Sequence, residues 1–216
     1  MGTKSSVRRD ATKPSLRARK QKEQRHQEIL AAAFEVFAAH GYEATRIDDV
    51  ARQAGIAKGT IYLYFRDKER LFRAVVRSLV HMKSDAAIES FHGTGVLLLR
   101  EILSGMYSQV VRNEKARSIV RMLIAESGRF PQLAEIYHRE IIVPGLKRVR
   151  QALIHGIALG EFRKTPAVEF PQLLVAPGVL AIVWKLLQGE RHRLDLDAYG
   201  KAHLEFVLKG LRKKPD

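Results

Sequence analysis

The chain contains no cysteine, which excludes disulfide bridges, thiolate catalysis and cysteine-ligated zinc. A reducing compartment fits that absence. No stretch approaches the roughly 20 consecutive apolar residues that a bilayer-spanning helix needs. The N-terminus is charged and lacks the apolar core of a secretory signal. Together these give the expectation of a cytoplasmic protein with no membrane partner. Acidic residues are scarce: 23 Asp and Glu stand against 38 Lys and Arg, a formal net charge of +15. Such an imbalance points to a polyanion, either nucleic acid or an anionic membrane face; charge kept for solubility is the plain alternative. Also missing are a nucleophile elbow, a phosphate-cradling loop and a cofactor fingerprint. Glu126, His138, Arg139 and Glu140 make an acid–base set only in the sense that any charged helix surface does. The eight histidines, at 26, 40, 81, 92, 138, 155, 192 and 203, are scattered without metal-ligating spacing. The expectation is therefore a non-enzyme with no cofactor and no metal.

Strand-like alternation and internal repeats are absent too, and what remains is helical periodicity. Hydrophobic residues make up 46% of 216 residues, enough for a sizeable core. Residues 1–22 are an exception: Lys4, Arg8, Arg9, Lys13, Arg17, Arg19, Lys20 and Lys22 face one acid, Asp10, with little to bury. This reads as a basic flexible arm that follows phosphates or enters a minor groove when DNA is present, or as a solvated leader. From Glu23 onward Ile29, Leu30, Ala33, Phe34 and Phe37 form one apolar stripe. Gly41 is expected to end this helix as a left-handed cap. Thr45 then opens a second helix as N-cap, with Asp48 and Asp49 in its first turn, and Gly55 closes it. A third short helix is expected over 57–64, and a fourth, capped by Asp67, over about 68–82. Further helices are expected over 96–111, 115–126, 131–159, 168–188 and 195–211. Pro144-Gly145 and Pro177-Gly178 should kink or break two of them.

Two short helices joined at a glycine make a helix-turn-helix. The third helix is too short to stand alone, so its inner side must pack on its neighbours while its outer side stays free. Lys58, Thr60, Tyr62 and Tyr64 offer a charge, hydroxyls and aromatic edges there, and Gly59 lets backbone approach closely. The N-terminal residues of such a helix read the major groove. Each has a plainer reading: Tyr62 or Tyr64 half-buried against the first helix, Thr60 bonded to its own backbone, Lys58 and Lys68 solvated. Ile61 and Phe65 read as core.

The run Ile29-Leu30, Ala32-Ala33-Phe34, Phe37, Gly41-Tyr42, Ala44-Thr45, Ile47, Val50-Ala51, Ala54-Gly55, Lys58-Gly59-Thr60-Ile61-Tyr62, Tyr64-Phe65 and Lys68-Glu69 with Leu71 resembles the N-terminal domain of the tetracycline-repressor (TetR) family of bacterial regulators. The likeness covers roughly residues 24–75. Beyond them only the helical layout is similar. The resemblance implies an all-α fold: an arm (1–22), a three-helix DNA-binding head (23–72) and a larger helical ligand-sensing and dimerisation domain (73–216). It implies repression at a palindromic double-stranded DNA operator, relieved by a small molecule. Carried over, Lys58, Gly59, Thr60, Tyr62 and Tyr64 fall where the recognition helix meets DNA. Lys68 falls at a phosphate contact, and Arg46 at a backbone contact.

In the remaining chain Leu180, Val183, Trp184 and Leu187 share one helical face, as do Leu204, Val207, Leu208 and Leu211. In the family the last two helices of each subunit build a four-helix dimer interface. A homodimer also places two recognition helices in successive major grooves. Both stripes buried within a monomer is the alternative. The Pro-Gly pairs should disturb packing and leave a cavity, with Met106, Tyr107, Met122, Tyr137 and Trp184 as candidate lining for an apolar or aromatic inducer; ordinary core is the competing reading. The expected mechanism is a shift of the fourth helix that spoils the spacing of the heads. A non-specific or architectural DNA binder, favoured by the basic tail and Arg212-Lys213-Lys214, is the other function to separate from this one.

Overall fold

A computed structural model describes residues 16–80, 91–189 and 191–213. Most of the arm expected over 1–22, and the end of the fourth helix near Met82, lie outside them. The described residues are helical, with one isolated bridge between Phe162 and Arg212 in place of any strand. In chain order the α-helices are α1 (Leu16–Ala44), α2 (Ile47–Gln53), α3 (Lys58–Tyr64), α4 (Lys68–Ser78), α5 (Gly95–Met106), α6 (Glu114–Glu126), α7 (Pro131–Tyr137), α8 (Val143–Ala158), α9 (Gln172–Gln188) and α10 (Leu196–Leu211).

Local signals explain the start of four of these helices. Asp67 accepts from the Arg70 N–H, Thr94 from Leu97, Asn113 from Ala116, and Asp195 from Asp197 and Ala198, each satisfying a first-turn amide that has no intrahelical partner. Two expectations are corrected. Gly41 does take a left-handed φ of 74°, but with ψ 177° it is a break, and the helix resumes to Ala44. Thr45 does not cap α2: its hydroxyl donates back to the Gly41 carbonyl at 2.6 Å, and Arg46 is the N-cap, without a side-chain bond.

The prolines act less severely than their positions suggest. Pro144 has no N–H for the carbonyl one turn back, and the chain widens into a π-turn over His138–Ile142 that joins α7 to α8. A second π-turn, Tyr107–Val111, extends α5. Pro177 leaves α9 unbroken. α5 and α8 cross closely at two glycines; a Cβ on Gly95 would fall on the backbone of Gly156.

One apolar cluster joins the head to the rest. Ile29, Phe37, Ile61 and Phe72 share it with Ile119, Met122, Leu133 and Ile136 of α6 and α7. A second cluster holds α5 and α8 against Leu208 and Leu211 of α10. A third packs Tyr107 and Val111 against Ala181 and Ile182 of α9.

Candidate nucleic-acid interface and sensor cavity

α3 is anchored by one fully buried side chain, Ile61, between half-buried Thr60 and Tyr64 and exposed Lys58, Gly59 and Tyr62. Arg46 is exposed beside it. A Cβ on Gly59 would meet nothing within 4 Å, so the fold does not demand glycine there. The outer face is held in place from α2. Asp48 accepts from Lys58 Nζ at 2.7 Å and from the Tyr62 hydroxyl at 3.4 Å. The hydrogen bond from Lys58 keeps the Asp48 carboxyl below its ordinary range, and the same bond raises the Lys58 ammonium. Asp48 thus does more than complement the α2 dipole, its expected role: it orders two side chains of α3. Tyr64 lies against the head core with its ring 6.3 Å from His26.

Lys68, expected at a phosphate contact, donates two of its three ammonium N–H groups to the carbonyls of Tyr42 at 2.7 Å and Glu43 at 2.9 Å and sits 4.5 Å above the Tyr42 ring. Burial lowers its pKa against the opposing pull of Glu126 and Glu43. Beyond it lies a junction that had no signal in the sequence. The Glu126 carboxylate, at the end of α6, accepts from the Tyr42 N–H at 3.0 and 3.1 Å and from the Glu43 N–H at 3.1 Å. Arg129 pairs with Glu43 at 2.6 Å, and the Phe130 ring packs edge-on against Tyr42. The break at Gly41 frees these amides from α1, and Glu126 and Lys68 satisfy both polarities of the opened turn.

A cavity of about 550 Å³ lies among α5, the α7–α8 π-turn and α9, and reaches Val80 just past α4. Ile102, Met106, Ile141, Val149, Val175 and Ile182 give it an apolar wall; Glu101, Gln109, Arg148 and Gln172 supply polar lining. Of the five expected lining residues, Met106 and Tyr137 are there. Burial pushes the Tyr137 phenol up to about 12. The other three are elsewhere. Met122 fills the core shared with the head. Tyr107 turns away to bond His203 Nδ1 at 3.0 Å. Trp184 is on the surface, donating from Nε1 to the His192 carbonyl at 2.8 Å. A smaller hollow shares Tyr137 and Ile142 with the cavity. On the other side of that π-turn, Glu140 pairs with Arg77 of α4 at 3.2 Å and lies 3.7 Å from Arg73.

The two apolar stripes separate. Leu180, Trp184 and Leu187 are exposed, Leu187 at 76%, with Leu173 continuing their line, while Val183 is half-buried. On α10 the expected face is turned inward. Leu208 and Leu211 are 5% exposed in the chain's own core, and Leu204 and Val207 pack beside them. Phe206, off that stripe and not foreseen, is 80% exposed. Among the described residues no helix is long and apolar enough to cross a membrane.

Comparison with known proteins agrees with this arrangement. Residues 29–75 match the family of bacterial regulatory proteins, tetR family, and residues 98–168 match the C-terminal domain of AefR-like transcriptional repressors. A fatty acid metabolism regulator protein of Bacillus subtilis is 26% identical over 199 residues, covering 90% of this chain and all of that one. The regulator AcrR of Shigella flexneri is 25% identical over 146 residues, 65% of this chain and 68% of the relative. Among solved structures, the regulator FadR from Bacillus subtilis in complex with stearoyl-CoA superposes with a TM-score of 0.64 at 23% identity, over 87% of this chain and all of that one. A transcriptional regulator from Saccharomonospora viridis in complex with choline gives 0.66 at 22%, over 90% of this chain and all of its own. The matched segments span more than half the sequence, head and sensor alike, and the chain belongs to the TetR family of bacterial transcriptional regulators.

Proposed function

We propose that this regulator is a homodimeric repressor that binds a palindromic operator through α3 and is released when an apolar small molecule fills the cavity between α5, α8 and α9. Residues 23–72 act as the DNA-binding head and 73–216 as the sensing and dimerisation half. Lys58, Gly59, Thr60 and Tyr62 meet the major groove, Tyr64 supports the end of α3, and Arg46 contacts the phosphate backbone. Lys68 acts through the backbone it holds. Leu173, Leu180, Trp184, Leu187 and Phe206 form the apolar surface that a second copy covers, because these large apolar side chains of the last two helices are left exposed.

The observation that carries the ligand-responsive reading is the reach of the cavity. Its wall includes Val80, two residues past the end of α4, and the π-turn whose Glu140 grips α4. A ligand that binds more tightly in one position of α4 than in another must shift the heads. A wall of aliphatic side chains with a few polar groups selects a long apolar body with a polar head, and Glu101, Gln109, Arg148 and Gln172 are the polar groups of that lining. The first ligand to test is a long-chain acyl-CoA, because a relative is a fatty acid metabolism regulator and a structural neighbour holds stearoyl-CoA. The choline complex shows that the fold alone does not fix the ligand.

The experiment is fluorescence anisotropy with DNA from immediately upstream of the gene against scrambled DNA of equal length, at near-physiological salt. A preference of about a thousandfold, lost on adding micromolar stearoyl-CoA, is expected. Equal affinity for both DNAs, falling steeply with salt, would favour the architectural reading instead. Operator preference unchanged by acyl-CoA would remove that ligand class.

A further inference from the structure

α1 begins at Leu16, well before Ile29, where the family match starts. This corrects the expectation of a flexible arm as far as residue 22, since 16–22 are helical. The added turns bury almost nothing. Leu16 is 78% exposed, and of the described side chains over 16–28 only His26 is even half-buried. No packing on the head demands this rod, yet its composition is one-sided. Arg17, Arg19, Lys20, Lys22 and Arg25 stand against Glu23 and Glu28. The acids are occupied locally: Glu28 pairs with Arg25 at 2.8 Å and accepts from Gln24, and Glu23 accepts from Gln27 at 2.9 Å.

The rod is placed by its one half-buried residue. The His26 ring lies 5.4 Å from Phe65 and 6.3 Å from Tyr64, at the C-terminal end of α3. Lys22 and Arg19 sit four and seven residues earlier, on the same helical face. At 1.5 Å per residue they lie about 6 and 10 Å further along the axis. The face that touches the end of the recognition helix therefore continues outward as a line of cations.

We propose that this extension is a second DNA contact: Arg19 and Lys22, flanked by Arg17 and Lys20, dock on the phosphate backbone of duplex flanking the half-site read by α3. The inference rests on α3 being the DNA-reading element. Double-stranded DNA is the occupant because the cations are continuous with α3 and spaced along a rigid helix. An anionic membrane is disfavoured because an interfacial helix needs an apolar face, and this segment offers only Leu16 and Ala18 over its first ten residues. A preformed helix also makes the contact without the ordering cost of a flexible arm.

The test uses the full chain and the doubly substituted Arg19→Gln/Lys22→Gln protein, since glutamine keeps helix propensity. Each is titrated at several KCl concentrations with the retained upstream fragment, trimmed to its operator or carrying about ten flanking base pairs on each side. Wild type should bind the flanked duplex about tenfold or more tightly than the trimmed one, and the variant should lose that advantage. The slope of log affinity against log salt should fall by about 1.8 per protomer, from two lost phosphate contacts. Operator preference with an unchanged slope and no flank effect overturns the proposal alone. Wild type without operator preference overturns the reading of α3 and this proposal together. Loss of binding to phosphatidylserine vesicles, with DNA binding intact, would assign the extension to a membrane instead.

Discussion

Replacing Glu126 by glutamine tests whether the head is locked to the sensor half at the break in α1. The carboxylate accepts two backbone N–H groups, those of Tyr42 and Glu43, and Tyr42 is 5% exposed. Glutamine leaves one acceptor and turns an NH₂ toward a second donor. Glu43 is exposed, so its amide regains water; the buried Tyr42 amide does not. A hydrogen bond to a charged group contributes about 1.5–3 kcal/mol, and an orphaned buried donor costs about 1–3 kcal/mol. About 2 kcal/mol is therefore expected, which for a chain of this size is roughly 4–8 °C in Tm. The measurement is thermal unfolding by circular dichroism at one fixed protein concentration, because dimerisation makes Tm concentration-dependent. Glu135→Gln, whose partner Arg139 is an exposed neighbour one turn away, is the control and should change Tm by under about 1 °C. Gly41→Ala should be more harmful than Glu126→Gln, since its φ is 74° and its Cβ would lie 2.5 Å from Glu126 Oε1. Combined with Glu126→Ala it should cost less than the two single changes added together. A Glu126→Gln shift no larger than that of Glu135→Gln would refute the lock.

Three further outcomes follow from the same structure. Gly145→Leu places a side chain where a Cβ meets nothing within 4 Å, beside the cavity. Helix propensity should leave Tm unchanged or raised, by about 0.5–1 kcal/mol of stability, while isothermal titration shows acyl-CoA binding weakened at least tenfold; unchanged binding would place the ligand elsewhere. His203 is held below the usual imidazole range by burial, which outweighs the Leu174 backbone. The unfolded chain then takes up that proton first, so stability is full above the ordinary value of 6.5 and falls as pH drops below it. Tm should drop between pH 7.5 and 5.5 by more in the wild type than in His203→Gln, and parallel curves would exclude His203 as the cause. Leu180→Asp/Leu187→Asp should give a folded monomer by analytical ultracentrifugation, whereas Leu208→Ala should keep the dimer and cost about 2–5 kcal/mol of unfolding stability. A Leu208→Ala monomer of unchanged Tm would reverse the assignment of the two faces.

The head was legible because its signals are local. Apolar spacing on α1, Asp67 before α4, and the turn at Gly55 between α2 and α3 each act within a few residues, where one helix face and one cap decide the outcome. The same spacing on α10 was ambiguous, since a helical stripe records that a face is covered and not what covers it. Leu208 and Leu211 went to the chain's own core, and Phe206, outside the stripe, was left at the surface. Candidate cavity residues chosen for being flexible or aromatic divided for the same reason: Met106 and Tyr137 line the cavity, while Tyr107 met His203 and Met122 joined the head's core.

The sequence by itself determined the helical class, the helix-turn-helix and the exposure of Lys58 and Tyr62, though not the half-burial of Thr60 and Tyr64, because periodicity, caps and glycine placement are properties of neighbouring residues. Only the tertiary structure decided that Lys68 serves the backbone of Tyr42 and Glu43, that Glu126 reaches it from 84 residues away, and that Asp48 orders Lys58 and Tyr62. A long polar side chain looks the same in sequence whether it faces phosphate, solvent or an opened helical turn. Which one it meets depends on how far apart the fold brings segments that have no local reason to touch.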